Sequence, residues 1–173
     1  MTVLLRTARL LLRQWRDEDE AAFAELSADP VAMEYLLPLP GWVGRRRAHW
    51  EEHGFGQWVA ELPGEVSFIG VVGLETVSYQ AHFTPAVEVA WRLARAYWGK
   101  GYATEAAQAA LDYGFEQLGL SEIVAITVPA NRRSRAVMER LGMTRAPEDD
   151  FDSPRLPLGH PLRPHVLYRL RRP

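Results

Sequence analysis

Cysteine is absent from this 173-residue sequence. Its absence excludes disulfides, thiolate-bound zinc, iron–sulfur clusters and any cysteinyl acyl-enzyme. Lysine is almost absent: 19 arginines and the single Lys100 carry the basic charge, a bias that GC-rich coding explains without any function. No stretch reaches the ~18 apolar residues of a membrane span. Met1 to Leu10 shows neither a long apolar core nor a small-residue cleavage site, so a cytoplasmic location without membrane contact is expected. A strong charge of one sign is missing too. The formal net charge of -2 gives no reason to expect nucleic acid, and Arg45-Arg46-Arg47 reads as a solvated helix face. No Gly-x-Ser-x-Gly elbow is present. His49 and His53 have i, i+4 spacing but no third ligand, so no metal is expected.

What is present is an ordinary globular balance, 47% hydrophobic and 24% charged, which suits one domain over residues 1–173. Leu10 to Trp15 reads as a strand. Asp17 opens a helix whose Glu18, Asp19 and Glu20 suit the helix dipole, and Asp29-Pro30 ends it. After the Pro38–Gly41 loop, Val43 to His53 reads as a helix with Gly54 at its C-terminus. Gln57 to Glu61 and Ser67 to Thr76 form a hairpin around Pro63-Gly64. Val87 to Leu93 alternates cleanly, with Val87, Val89, Trp91 and Leu93 on one face and Glu88, Ala90 and Arg92 on the other. A helix from about Ala103 to Leu118, a strand from Glu122 to Val128 and a helix from the Asn131 cap to Leu141 follow. The rest is rich in Pro and Gly until a last strand, His165 to Leu170. A strand–helix–strand unit implies a parallel pair, and the hairpin adds antiparallel strands, so a mixed sheet with helices on both faces is expected.

Gly99-Lys100-Gly101 lies between a strand and a helix start. The first N–H groups of a helix have no partner within it, the dipole makes that end positive, and glycines let the backbone approach a ligand. Such a loop suits a diphosphate, although a Gly-x-Gly taken alone is equally a plain turn. The P-loop pattern fails, since Gly101-Tyr102 follows Lys100. The dinucleotide fingerprint fails at Thr104, and Glu122 stands at the wrong end of its strand.

Together, Val87–Leu93, Tyr97–Ala106 and the series Asn131, Ser134, Met138, Glu139, Leu141, Gly142, Met143 resemble the GNAT N-acetyltransferase superfamily, most closely its RimJ/RimL-like ribosomal-protein branch. Arg9-Leu10-Leu11-Leu12-Arg13 and Asp29-Pro30 with Met33 fit as well, so the resemblance spans most of the chain. It implies an α/β (α+β) GNAT fold: a mostly antiparallel central sheet with one splayed parallel pair and helices on both faces. It implies acetyl-CoA as co-substrate, and an amine acceptor that is a protein N-terminus or a small molecule, in a monomer or homodimer. By position, the backbone of Trp91, Arg92 and Leu93 would pair with the pantetheine arm. The amides of Gly99, Lys100, Gly101, Tyr102, Ala103 and Thr104 would hold the diphosphate, and Asn131 would contact the coenzyme. The superfamily's loop begins with Gln or Arg where this chain has Trp98, so backbone, and Lys100, must supply more of the grip.

The chemistry needs a base for the ammonium proton and an acid for the thiolate. The resemblance assigns the first role to Glu88, whose pKa should be raised between apolar strands. It assigns the second to Ser134, because Met138 stands where many relatives carry a tyrosine. Arg132, Arg133 and Arg135 crowd a helix N-terminus against its dipole, which suggests a nearby anion such as the 3′-phosphate of CoA. On the residues alone, Glu88 reads equally as a surface glutamate, Asn131 and Ser134 as capping residues, and the arginines as surface scatter. A non-catalytic acyl-CoA sensor with the same fold is the alternative function, and its mark would be a lost base or lost loop glycines. The segment Asp149–Arg163 and the Pro38–Gly41 loop are expected to border the acceptor.

Overall fold

The computed structural model describes residues 3–38 and 40–172. Its elements are β1 (Leu5–Arg6), β2 (Leu11–Arg13), α1 (Asp19–Ala28), α2 (Trp42–His53), β3 (Gln57–Leu62), β4 (Val66–Thr76), β5 (Val87–Leu93), α3 (Tyr102–Glu116), β6 (Glu122–Thr127), α4 (Arg132–Arg140), β7 (Thr144–Arg145), β8 (Phe151–Asp152) and β9 (Pro164–Arg171). The sheet order is β1-β2-β3-β4-β5-β6-β9-β7, with β8 beside β9. Every strand pair is antiparallel except β5–β6. This is the mixed, mostly antiparallel arrangement that the resemblance implied.

Helices cover both faces. On one, α3 lays Ala106, Ala107, Ala110 and Leu111 against Trp58, Ala60, Val72 and Leu74, joined by Val137 and Met138 of α4. On the other, Phe23 and Leu26 of α1 and Trp42 of α2 pack on Val59, Phe68 and Val71. Fully burying a Leu, Val or Phe side chain contributes about 1.5–3 kcal/mol, so these two layers supply most of the folding drive. Gly70, in the middle of β4, separates Ile69 facing the α3 layer from Val71 facing the α1 layer. Its φ of 146° and the 2.2 Å that would separate an added Cβ from the Arg92 carbonyl leave room only for glycine.

Two expectations are corrected. The first helix begins at Asp19 rather than Asp17; Asp19 and Glu20 are in its first turn as expected, and Asp19 is buried. Its carboxylate takes two guanidinium bonds from Arg13, at 2.7 and 2.8 Å, and one from the Arg16 amide. Arg46, read as part of a solvated face, is also buried. Among the described residues no helix is long and apolar enough to cross a membrane.

Candidate active site

The parallel strands β5 and β6 meet at a single register point, Glu88 opposite Val124. Beyond it they part. The Ala94 amide bonds to Ile69 O at 2.9 Å and the Val77 amide to Ala86 O at 3.0 Å. Because antiparallel partners alternate, these bonds commit the even-numbered residues from Ala86 to Ala94 to β4. Val89, Trp91 and Leu93 therefore turn their peptide groups toward the gap. A buried backbone group needs a partner, so this row is a docking edge for an extended ligand. Of the three residues expected to offer backbone there, Trp91 turns both its groups to the gap and Leu93 its N–H, the Leu93 carbonyl being taken by the Trp98 indole. Arg92 spends its backbone on β4 and contributes its side chain to the other face. The gap is the floor of a cleft of about 1100 Å³, lined also by the glycine loop, Thr127, Asn131, Ser134 and Met138.

The loop closes one wall. Gly101 is the N-cap of α3 at φ 81°, and Gly99 lies at φ 72°. Both are in the left-handed region. The Glu105 amide makes the first intrahelical bond, to Gly101 O, so the amides of Tyr102, Ala103 and Thr104 have no partner within the helix. A helix end of this kind binds phosphate. Gly99, Gly101, Tyr102, Ala103 and Thr104 line the cleft; Lys100 does not, and its Nζ lies 5.6 Å from the Tyr97 ring centre. The charge comes from elsewhere. Trp98 anchors its indole N–H on Leu93 O at 2.7 Å and offers its ring to the Arg133 guanidinium at 4.4 Å. Arg133 is thereby held beside the loop, and its Nη2 also donates to Glu34 at 3.2 Å.

Sequence reading missed a clamp behind the loop. Arg9 Nη1 donates to Lys100 O at 2.9 Å, and the same guanidinium lies 4.5 Å from the Tyr102 ring centre. Glu105 holds it, accepting from Arg9 Nε, the Arg9 amide and Thr7 Oγ1. A Val at position 101 would be strained by φ and would bring Cβ to 3.3 Å from Arg9 Nη2. Gly101→Val should therefore weaken coenzyme binding more than Trp98→Phe, which loses one N–H bond and trims the Arg133 platform. Calorimetric titration of CoA into both variants checks this, and equal losses would mean that the backbone is not the main grip.

The opposite wall is α4. Asn131 caps it, its Oδ1 accepting from the Ser134 amide at 3.2 Å. Its Nδ2 donates to Thr127 Oγ1 at 3.0 Å and to Ser134 Oγ at 3.1 Å. Ser134 Oγ thus accepts from within the protein and keeps its own proton to donate into the cleft. Arg132, Arg133 and Arg140 line this wall. Arg135, expected near the coenzyme, instead turns to Pro129 O at 3.0 Å and Tyr168 OH at 3.3 Å. The helix period explains this: residue 135 falls on the face toward β9.

Glu88 stands where the strands part, on the α2 side of the sheet. Burial raises its pKa to about 7, and Arg155 and then Arg46 pull the other way. Its cross-strand neighbour is Glu75. Facing like charges are unfavourable, and Arg46 relieves them by pairing with Glu75, which also accepts from Gln57 at 3.0 Å. Arg46 and Arg155 were not read from the sequence as site residues. For Arg46 a signal existed: Trp42, Arg46, His49 and His53 recur at helical spacing on one face of α2. Arg155 lies in the Asp149–Arg163 segment expected beside the acceptor, with its guanidinium 5.0 Å from the Tyr79 ring centre. Of the Pro38–Gly41 loop, Leu39 lies outside the described residues. His49 is structural: Nε2 accepts from the Thr76 amide at 3.1 Å, so Nδ1 carries the proton donated to Phe55 O. Among the described residues no three His, Asp or Glu side chains gather as a metal-ligand group.

Comparison with known proteins bears on the family and the fold. A family model described as an acetyltransferase (GNAT) domain matches residues 9–144. The uncharacterized protein YkkB of Bacillus subtilis is 35% identical over 146 residues, 80% of this chain and 84% of that protein. An acetyltransferase structure from Agrobacterium tumefaciens superposes with a TM-score of 0.77 at 31% identity, covering 98% of this chain and 95% of the other. Mycobacterium smegmatis RimJ, solved in complex with CoA-disulfide, gives a TM-score of 0.74 at 27% identity, covering 98% and 86%.

Proposed function

The chain belongs to the GNAT acetyltransferase family, and from that premise we propose that it transfers an acetyl group from acetyl-CoA directly to a primary amine. The carrying observation is the single-point β5–β6 pairing. It leaves both peptide groups of Trp91 and the Leu93 amide open to a cleft whose other walls are the free amides of α3 and the Asn131–Ser134 cap. These parts fit a long ligand with an amide-bearing arm and a diphosphate end. Arg132 and Arg140 supply cations for the phosphates, with Arg133 beside them on Trp98 and paired to Glu34, while Arg135 is turned to Pro129 O and Tyr168. When bound, acetyl-CoA supplies a thioester whose acyl carbon can be attacked.

This chain's residues do the rest. Glu88, with a pKa near 7, accepts the proton of the incoming ammonium, directly or through one water. The amine nitrogen then forms the N–C bond as the C–S bond breaks, and the second proton that the nitrogen sheds on becoming an amide passes to solvent. Ser134 donates its free hydroxyl proton toward the departing sulfur and is reprotonated from solvent. Most of the acceleration comes from holding amine and thioester together, with backbone amides polarising the carbonyl. The RimJ/RimL-like pattern makes a protein N-terminal α-amine the first acceptor to test. Thiol release from acetyl-CoA, measured over a panel of peptides and small amines, tests the reading. Coenzyme binding with no release for any amine would replace it with the acyl-CoA sensor.

A further inference from the structure

On the α2 side of β5, Glu88, Ala90 and Arg92 share one face. Arg92 stands four residues from Glu88, about 13 Å along the strand, with the small Ala90 between them. Its guanidinium lies over two stacked rings, 5.6 Å from the centre of Phe23 and 5.3 Å from that of Trp42. Arg92 and Ala90 both line the cleft. Among the described residues, neither a carboxylate nor a hydrogen bond offsets the burial of Arg92. Arg46 comes up from α2 against the same Trp42 ring, 4.7 Å from its centre, and Nε of Arg46 is buried with no partner. Glu75 is already paired with Arg46, and Glu88 stands four residues away along the strand, so Arg92 is left without a carboxylate partner.

Half-burying Arg92 without a partner is costly, because a cation drawn out of water needs a compensating charge. Burial pulls the pKa of Arg92 and of Arg46 down to about 10, so both still carry charge at neutral pH. The aromatic floor supports the planar Arg92 guanidinium at the wall of the cleft. A planar, bidentate acceptor is the partner that such a fork matches.

We propose that the acceptor is an amine that also carries a carboxylate, with Arg92, flanked by Arg46, holding that carboxylate while the amine lies at Glu88. The inference rests on the transferase reading but is decided separately. Ala90 provides the floor across which the acceptor's carbon chain runs. The carboxylate belongs either to a free amino acid or to an acidic residue close behind a peptide N-terminus.

Binding is tested first, on the full chain saturated with CoA, by calorimetric titration of glutarate and of glutaramide. Glutarate should bind at least about tenfold more tightly, about 1.4 kcal/mol, and Arg92→Met should erase the difference while Arg92→Lys keeps part of it. Equal affinity of the two probes for the wild-type protein overturns the proposal, and this comparison needs no variant to fold. Turnover follows, with ω-amino acids against their amides and with peptides bearing Asp or Asn behind the N-terminus. A higher kcat/KM for the acid in the first pair supports a free amino acid, and in the second an acidic peptide. Amides that turn over as well as acids in both pairs refute it. Absence of thiol release from every amine would count against the transferase reading alone, since the glutarate comparison still decides the subsite.

Discussion

Glu88→Gln should lower kcat/KM by about 10² to 10⁴, the range of a positioned general base, while leaving CoA affinity unchanged. Glutamine keeps the size and removes the proton acceptor. The pH profile separates this from a packing defect. A base must be ionised to work, and burial raises the Glu88 pKa to about 7, so wild-type kcat/KM should climb as pH rises through about 7. The variant should lose that limb. Stability moves the opposite way. Between the ordinary value of 4.5 and about 7 the folded chain holds a proton on Glu88 that the unfolded chain has released. The contribution of Glu88 is thus fully present below 4.5 and is lost as pH rises through about 7. Glu88→Gln should escape this loss and melt higher than wild type above pH 7 once other groups are matched. A variant with full turnover, or one that keeps the limb near 7, would remove Glu88 from the reaction.

The parts of the site carried by local pattern were legible in the sequence. Alternation along Val87–Leu93 placed Glu88 and Arg92 on one face, and the two glycines marked the head of α3 because positive φ demands them there. Asn131 announced its helix through capping chemistry. Contacts distant in sequence did not show. Arg9 reaches Lys100 across 91 positions, and nothing near Arg9 marks it as a clamp. Arg133 looked like one of three equivalent arginines until the fold set it on Trp98 and turned Arg135 toward Tyr168. The two-residue strands β1, β7 and β8 were illegible because they are too short for a period and exist only through their partners. Arg46 shows a third kind of failure. A run of like charges reads as solvated, yet the position of Trp42 one turn earlier carries its middle member inward.

Arg13→Met should destabilise the fold by about 3–5 kcal/mol, the cost of stranding a buried carboxylate. Arg13 and Asp19 are each 2% exposed. Besides the forked pair with Asp19, Arg13 donates from Nε to Glu61 at 2.7 Å and from Nη2 to Ser67 O at 2.7 Å, so one side chain ties β2, α1 and both strands of the β3–β4 hairpin. Methionine fills much of the volume but satisfies none of these acceptors. For a domain of this length each kcal/mol moves Tm by about 2–4 °C, so a fall of about 10 °C is expected in a thermal melt. The double variant Arg13→Met/Asp19→Leu should recover a large part of the loss, because it removes the orphaned charge together with its partner. A single variant melting with wild type would show that Asp19 finds another partner or water. A double variant no better than the single would show that the bonds to Glu61 and Ser67, rather than the pair with Asp19, carry the stability. Arg13→Lys should fall between, since an ammonium supplies the charge but cannot fork across two carboxylate oxygens while reaching the Ser67 carbonyl.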